Sequence, residues 1–179
     1  MSSYQIRSLS DDAQAQACAD FMAVSEPWLT LGYGYPSLLR SLRTPDRERY
    51  TAHAGSQLAG FIVLNLQGAF TGYIQTICVR PEFRGQGCGS ALVAFAEDRI
   101  FRDHPNVFMC VSSFNHAARK LYERLGYVCI GEIADFLVAG HSEFLLRKTR
   151  GPLLAFHLPA PGLAAGEPPT PPPGPLVLG

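Results

Sequence analysis

Apolar positions along the chain switch several times between a period of two and a period near 3.6, and those switches mark its elements. Residues 4–9 alternate weakly and predict a first strand. Ser10, Asp11 and Asp12 supply an N-cap and an acidic first turn. Ala13, Ala17 and Phe21, with Cys18 beside them, then predict the inward stripe of a helix running to about Met22. Ser25-Glu26-Pro27-Trp28 reads as a turn that can also start a helix, with Pro27 near its first position. The glycines and tyrosines of 32–36 interrupt or split that helix, and 37–42 predicts a short further one. Residues 47–53 and 57–67 read as strands joined by a turn at Ala54-Gly55-Ser56. The second of these runs is almost continuously apolar, so it should be buried on both faces. Residues 68–72 turn into the next strand, completing a three-strand antiparallel meander.

That next strand opens the most informative stretch, 74–92. Ile74, Ile77 and Val79 favour a pleated strand, and Pro81, lacking an N–H, ends its pairing. Gly85, Gly87 and Gly89 follow at alternate positions, and then a helix pattern with Leu92, Phe95 and Ala96 on one face and Arg99 further along. A glycine loop entering a helix aims unpaired backbone N–H groups and the positive end of the helix dipole at one spot, which suits a phosphate. The spacing is not that of a P-loop, because no lysine follows Gly87 or Gly89. A dinucleotide fingerprint comes close but leaves Arg84 and Gly89 unexplained. Pro105 and Asn106 break the helix pattern, and 107–112 predicts a short buried strand. The segment 113–127 reads as a helix closed by Gly126. Ala117, Ala118, Leu121 and Leu125 share its apolar face, with Asn115, Ala118 and Tyr122 along one edge. His116, Lys120, Glu123 and Arg124 are expected to point away. Residues 127–133 and 142–147 predict two closing strands.

Composition narrows the class. A chain of 179 residues, 47% apolar, is long enough for one domain with its own core. Its 15 basic residues balance 15 acidic ones, so the basic excess of a nucleic-acid binder is missing. The cysteines Cys18, Cys78, Cys88, Cys110 and Cys129 are scattered singly and odd in number, which argues against a disulfide scaffold and a structural zinc site. Asp11 and Asp12 stand where a signal peptide would need an apolar core. The longest apolar run, 58–66, is broken by Gly60 and Asn65 and is too short to span a membrane. The expectation is a cytoplasmic protein with no membrane or nucleic-acid partner. From Gly151 the character changes: 151–179 holds nine of the chain's 14 prolines and one charged residue, Glu167. The run 168–173 favours polyproline II. This divides the chain into a domain at 1–149 and a Pro/Gly-rich tail at 150–179, expected to be disordered.

Arg84-x-x-Gly87-x-Gly89 after a Val-x-Pro strand end resembles the acetyl-CoA pyrophosphate loop of the GNAT superfamily of N-acetyltransferases. Asn115-x-x-Ala118-x-x-x-Tyr122, followed by Leu125-Gly126-Tyr127 and a strand, resembles that superfamily's second signature. Both motifs stand in the right order, separated by a helix and a strand, and the resemblance covers residues 1–149. It implies a mixed α/β (α+β) fold: a mostly antiparallel sheet of about seven strands, splayed between the fourth and fifth and flanked by about four helices. It implies acetyl-CoA as co-substrate and calls for no metal. The pyrophosphate is expected on the backbone of Arg84, Gly85, Gln86, Gly87, Cys88, Gly89 and Ser90. The pantetheine arm is expected along Ile77 and Val79, with a bulge near Thr76–Cys78. The N–H of Ile77 or Cys78 is then placed to polarise the thioester carbonyl.

In the same resemblance Asn115 bonds the cofactor arm beside Ala118, and Tyr122 is the general acid to the leaving thiolate; its phenol is protonated at neutral pH. Many superfamily members carry a carboxylate on the fourth strand. Here 72–79 has none, and Gln75 and Thr76 occupy the places. Glu26 is the first candidate to bind or deprotonate the acceptor amine, although it equally suits a helix-start carboxylate. Asp135, His141 and Glu143 are weaker ones, and a water chain would also suffice. The acceptor is a small amine or amino acid, towards which the aromatics of 28–35 lean, or a protein N-terminus. The alternative is an acyl-CoA-binding regulatory module without turnover. Two chains can associate as a homodimer through the edge of the last strands.

Overall fold

The computed structural model describes residues 4–156. The proline-rich tail expected to be disordered falls for the most part on 157–179, outside the described residues. The apolar run of the third strand is the spine of the fold. Strand β1 (Gln5–Ser8) leads into α1 (Asp12–Ala23) and α2 (Tyr35–Leu42). Strands β2 (Glu48–Ala54), β3 (Gln57–Asn65) and β4 (Tyr73–Val79) form the expected antiparallel meander. Then come α3 (Cys88–Ile100), β5 (Asn106–Ser112), α4 (His116–Arg124), β6 (Val128–Ile133) and β7 (Glu143–Thr149). The seven strands make one sheet in the order β1-β2-β3-β4-β5-β7-β6.

Alternate residues of β3 explain why its sequence is apolar throughout. Ile62 and Leu64 pack with Leu92, Val93, Ala96 and Ile100 of α3. Phe61 and Val63 face the other way, onto Ala15, Cys18, Ala19 and Met22 of α1 and Leu38 and Leu42 of α2. The sheet is thus covered on both faces, and α4 shares the α3 side through Tyr122.

The β4–β5 junction positions the site. All neighbouring pairs are antiparallel except this one, which is parallel and reduces to the single pairing Tyr73↔Phe108. Phe108 N–H also donates to Gly72 O at 3.0 Å. Beyond that point the strands diverge, as the resemblance implied. Gly72 permits the close end: its φ is +83°, and a Cβ there would lie 2.4 Å from Asn106 O and 2.7 Å from Ile100 Cγ2. On the other flank of β4, a Cβ on Gly60 would meet Cys78 O at 2.6 Å. The bulge of β4 lies slightly earlier than expected. Val63 pairs with Thr76 but Leu64 with Ile74, so Gln75 is the extra residue. Gln75 is exposed and held by Arg47 Nε at 2.8 Å.

Three local readings are corrected or completed. The inward stripe of α1 is Ala15, Cys18, Ala19 and Met22 with Phe21, while Ala13 is exposed. Alanines on several faces gave the pattern too little contrast to fix its phase; the Asp11 cap, which accepts from Gln14 N–H at 2.8 Å, fixes it. No helix starts at Pro27. Residues 26–32 are consecutive turns and the Glu26–Pro27 peptide is cis. Arg124 is exposed, as expected of the outer face, but it also lines a cavity, as described below.

Candidate functional site

The divergence of β4 from β5 opens the sheet, and a cavity lies on each side of the opening. The larger, about 630 Å³, runs from the end of β4 past the glycine loop to α4. Ile77, Cys78 and Val79 form one wall. Gly85, Gly87, Gly89 and Ser90 form the next, and Asn115, Ala118, Leu121, Tyr122 and Arg124 the opposite one. Gly85 and Gly87 have φ of +71° and +88°, and nothing lies within 4 Å of where their Cβ atoms would be. The left-handed turn at Gly87, the N-cap of α3, aims the free N–H groups of that helix's first turn into the cavity. Gly89 serves differently: it is helical, and a Cβ would stand 3.2 Å from Leu121 Cδ2, so its bareness lets α3 approach α4.

Arg84 is engaged with protein groups. Its Nε donates to Val79 O at 3.1 Å and its Nη2 to Ser25 Oγ at 3.0 Å. It thereby ties the loop to the strand end and to the turns that follow α1. Two expected loop residues stand off the cavity wall. The Gln86 amide donates to Glu82 O, and Cys88 is buried in the core beneath α3. Cys78 is buried too, and burial pushes its thiol up to about 12, so it lines the wall as a neutral group.

Helix α4 contributes its buried edge. Asn115 is its N-cap, its Oδ1 accepting from Ala118 N–H at 3.3 Å. Tyr122 is 5% exposed, packed edge-to-face on Tyr127 with ring centroids 6.2 Å apart. Burial raises the Tyr122 phenol above its ordinary value, with a smaller push from Cys78, so it stays protonated through neutral pH.

The second cavity, about 350 Å³, lies between the splayed strands and the turns after α1. Trp28, Tyr33, Tyr73, Phe136, Leu38 and Met22 supply most of its apolar wall, with Cys110, Ser112 and Glu143 on its floor. Pro27, Trp28, Ile77, Asn115 and Tyr122 border both cavities, so the two meet there. Glu143, the first residue of β7, pairs with Ser112 across β5 and is 4% exposed. Burial raises its carboxyl above the usual range, opposed by the Ser112 hydroxyl. Burial and then Cys110 raise the Tyr73 phenol, and burial raises the Cys110 thiol; the Glu143 charge adds a smaller push to each. Glu143 takes part in none of the ion pairs among the described residues.

The other expected carboxylates sit elsewhere. Glu26 is exposed at the edge of the larger cavity, where its oxygens accept from Thr30 N–H at 3.2 Å and Thr30 Oγ1 at 3.1 Å. Asp135 holds the loop between β6 and β7 by accepting from Gly140 N–H at 2.6 Å, and His141 packs edge-to-face on Phe114. That loop brings Phe136 and Leu137 to the smaller cavity. Neither residue was singled out from sequence, nor was Tyr73, because nothing local in a sequence shows which loops converge.

Comparison with known proteins identifies the family and the fold. The family model described as the acetyltransferase (GNAT) family matches residues 9–127. The N-alpha-acetyltransferase RimI of Mycobacterium tuberculosis is 27% identical over 147 residues, 78% of this chain and 89% of its own length. Among solved structures, an aminoglycoside 6'-N-acetyltransferase complexed with coenzyme A superposes with a TM-score of 0.68 at 18% identity, covering 83% of this chain and 98% of that one. The ribosomal-protein-S18-alanine N-acetyltransferase of Escherichia coli superposes at 0.64 with 18% identity, covering 82% and 94%. At these identities the two structures speak for the fold.

Proposed function

The chain belongs to the GNAT family of acetyltransferases, and from that premise we propose that it transfers an acetyl group from acetyl-CoA to a primary amine within a ternary complex. The observation that carries this reading is the meeting of the two cavities at Tyr122, Asn115 and Ile77. One cavity offers backbone N–H groups for a pyrophosphate and a strand end for an amide-bearing arm. The other offers room for an acceptor. The structural neighbour that holds coenzyme A supports the first assignment.

Acetyl-CoA supplies an activated acyl carbon: the amine nitrogen bonds to it, and the carbon–sulfur bond breaks. Each protein group then has a task. The N–H groups of Gly85, Gly87, Gly89 and Ser90 bind the pyrophosphate, with charge from Arg124 on the opposite wall of the same cavity. Ile77, Cys78 and Val79 bind the arm by strand-like pairing. Val79 O must exchange its bond from Arg84 if it joins that pairing. The N–H of Ile77 or Cys78 stabilises charge gathering on the carbonyl oxygen. Tyr122 gives its proton to the departing sulfur. The proton lost by the amine passes to solvent or to a carboxylate, Glu26 at the cofactor edge or Glu143 on the acceptor floor. The acceptor is a small amine or a protein N-terminus; RimI's name speaks for the second, and the aromatic lining of the smaller cavity for the first.

The test is thiol release from acetyl-CoA with a panel of amines, each product identified by mass. One acetylated amine per thiol is expected. Tight acetyl-CoA binding with no release against any amine would leave the non-catalytic binding module as the better reading.

A further inference from the structure

We propose that Glu143 anchors the ammonium group of the acceptor, and that this acceptor is a compact monoamine with an aromatic or otherwise apolar body. The inference deepens the transferase reading and rests on it for the transfer step alone.

The argument starts from the charge inventory of the smaller cavity. Of the side chains that line it, Glu143 alone is formally charged at neutral pH. It is 4% exposed, with no Lys, Arg or His paired to it among the described residues. A carboxylate is costly to bury without a partner. The half-buried carboxylates among the described residues are each paired with a cation: Glu97 with Lys148 at 2.6 Å, Glu48 with Arg99 at 2.6 Å, and Asp103 with the same Arg99. Glu143 instead faces a cavity through which a cation can arrive. Ser112 hydrogen-bonds its carboxyl, and Tyr73 and Cys110 feel its charge; none of the three carries positive charge.

The remaining wall selects the body attached to that cation. Trp28, Tyr33, Tyr73 and Phe136 present rings, and Leu38 and Met22 fill between them. Rings also hold an ammonium by their faces, so the aromatic lining and the carboxylate act in the same direction. A volume of about 350 Å³ is at the small end for ligand sites. A polyamine or an aminoglycoside brings several ammonium groups, and one carboxylate leaves the others buried without a partner. A peptide N-terminus brings a chain that runs on past its first residue, and a cavity of about 350 Å³ encloses only its end. The monoamine is the acceptor that leaves no group unsatisfied.

Trp28 is the single tryptophan of the chain and borders both cavities, so its emission reports ligand arrival directly. Titrating the full chain, saturated with CoA, with 2-phenylethylamine should give a saturable change in emission. Spermidine and a short Ala-initiated peptide should bind at least ~10-fold more weakly. Glu143→Gln should weaken 2-phenylethylamine by ~10-fold or more, with acetyl-CoA affinity unchanged as the control for folding. Phe136→Ala alters an exposed side chain, so it should fold, and it should weaken 2-phenylethylamine several-fold more than it weakens propylamine. Unchanged affinity in Glu143→Gln, or preference for spermidine or the peptide, overturns the inference. Thiol release is scored separately. Binding of 2-phenylethylamine without acetylation overturns the transferase reading and leaves the amine site standing.

Discussion

The larger cavity is walled chiefly by two continuous stretches, residues 77–90 with their glycine loop and residues 115–124, with the turn at 26–28 along its edge. The smaller one is walled by side chains from α1, the turns after it, α2, β4, β5, the β6–β7 loop and β7. The first can bind a constant molecule, because N–H groups and glycine torsions present the same face whatever the neighbouring side chains are. The second is assembled from parts that vary independently, and it is where a chain of this family would acquire its own acceptor. A perturbation of the first should therefore abolish function outright, and one of the second should retune it.

The strongest test of that division is Gly87→Glu. At φ +88° a side chain is strained, and this one carries negative charge into the anion site. Acetyl-CoA binding measured by calorimetry should fall at least ~100-fold while 2-phenylethylamine still changes Trp28 emission. Loss of both together would mean that the two cavities are not separable. Next in size, Tyr122→Phe should lower kcat by ~100-fold or more with little change in acetyl-CoA affinity. Since burial raises the phenol, wild-type kcat should show no fall from Tyr122 ionisation between pH 7 and about 9.5. Undiminished turnover in the variant would remove Tyr122 from the acid role.

Gly60→Ala should act on both cavities at once. Its methyl meets Cys78 O, so β4 must shift, and a stability loss of about 1–3 kcal/mol in urea unfolding is expected. The smallest effect belongs to the acceptor floor. The folded state raises the Glu143 carboxyl, so the folded form holds that proton more tightly than the unfolded one. Stability from this source is full below the unfolded pKa and lost as pH rises through the folded one. Glu143→Gln should accordingly raise Tm at pH 7.5, as read from thermal melts. The gain should shrink towards pH 4; a gain independent of pH would point to packing and not to charge.

The same contrast explains what could be read without coordinates. The glycine loop, the Asn115 cap and Tyr122 are local signals, each carried by a few neighbouring residues, and the double-faced apolarity of β3 announced its central position. The phase of α1 was not legible because alanine says little about which face is inward. The exposure of Arg124 was legible, but its place at the rim of a cavity was not, because the facing wall comes from distant residues. Glu143 looked like one of several carboxylates near the closing strands; only the pairing of β7 with β5 carries it to the cavity floor. Loop convergence is a property of the folded chain, set by the splay of the sheet and by the turns at 26–32.

The bareness of Gly72 has a further consequence. Two backbones pressed together at one end of a wedge, where even a methyl is excluded, leave β4 and β5 no freedom to close along their length. The aperture is thus written into main-chain geometry, and the entropy lost in holding it open is lost once, when the protein folds. A ligand entering such a gap has little left to organise, so more of its contact energy appears as affinity.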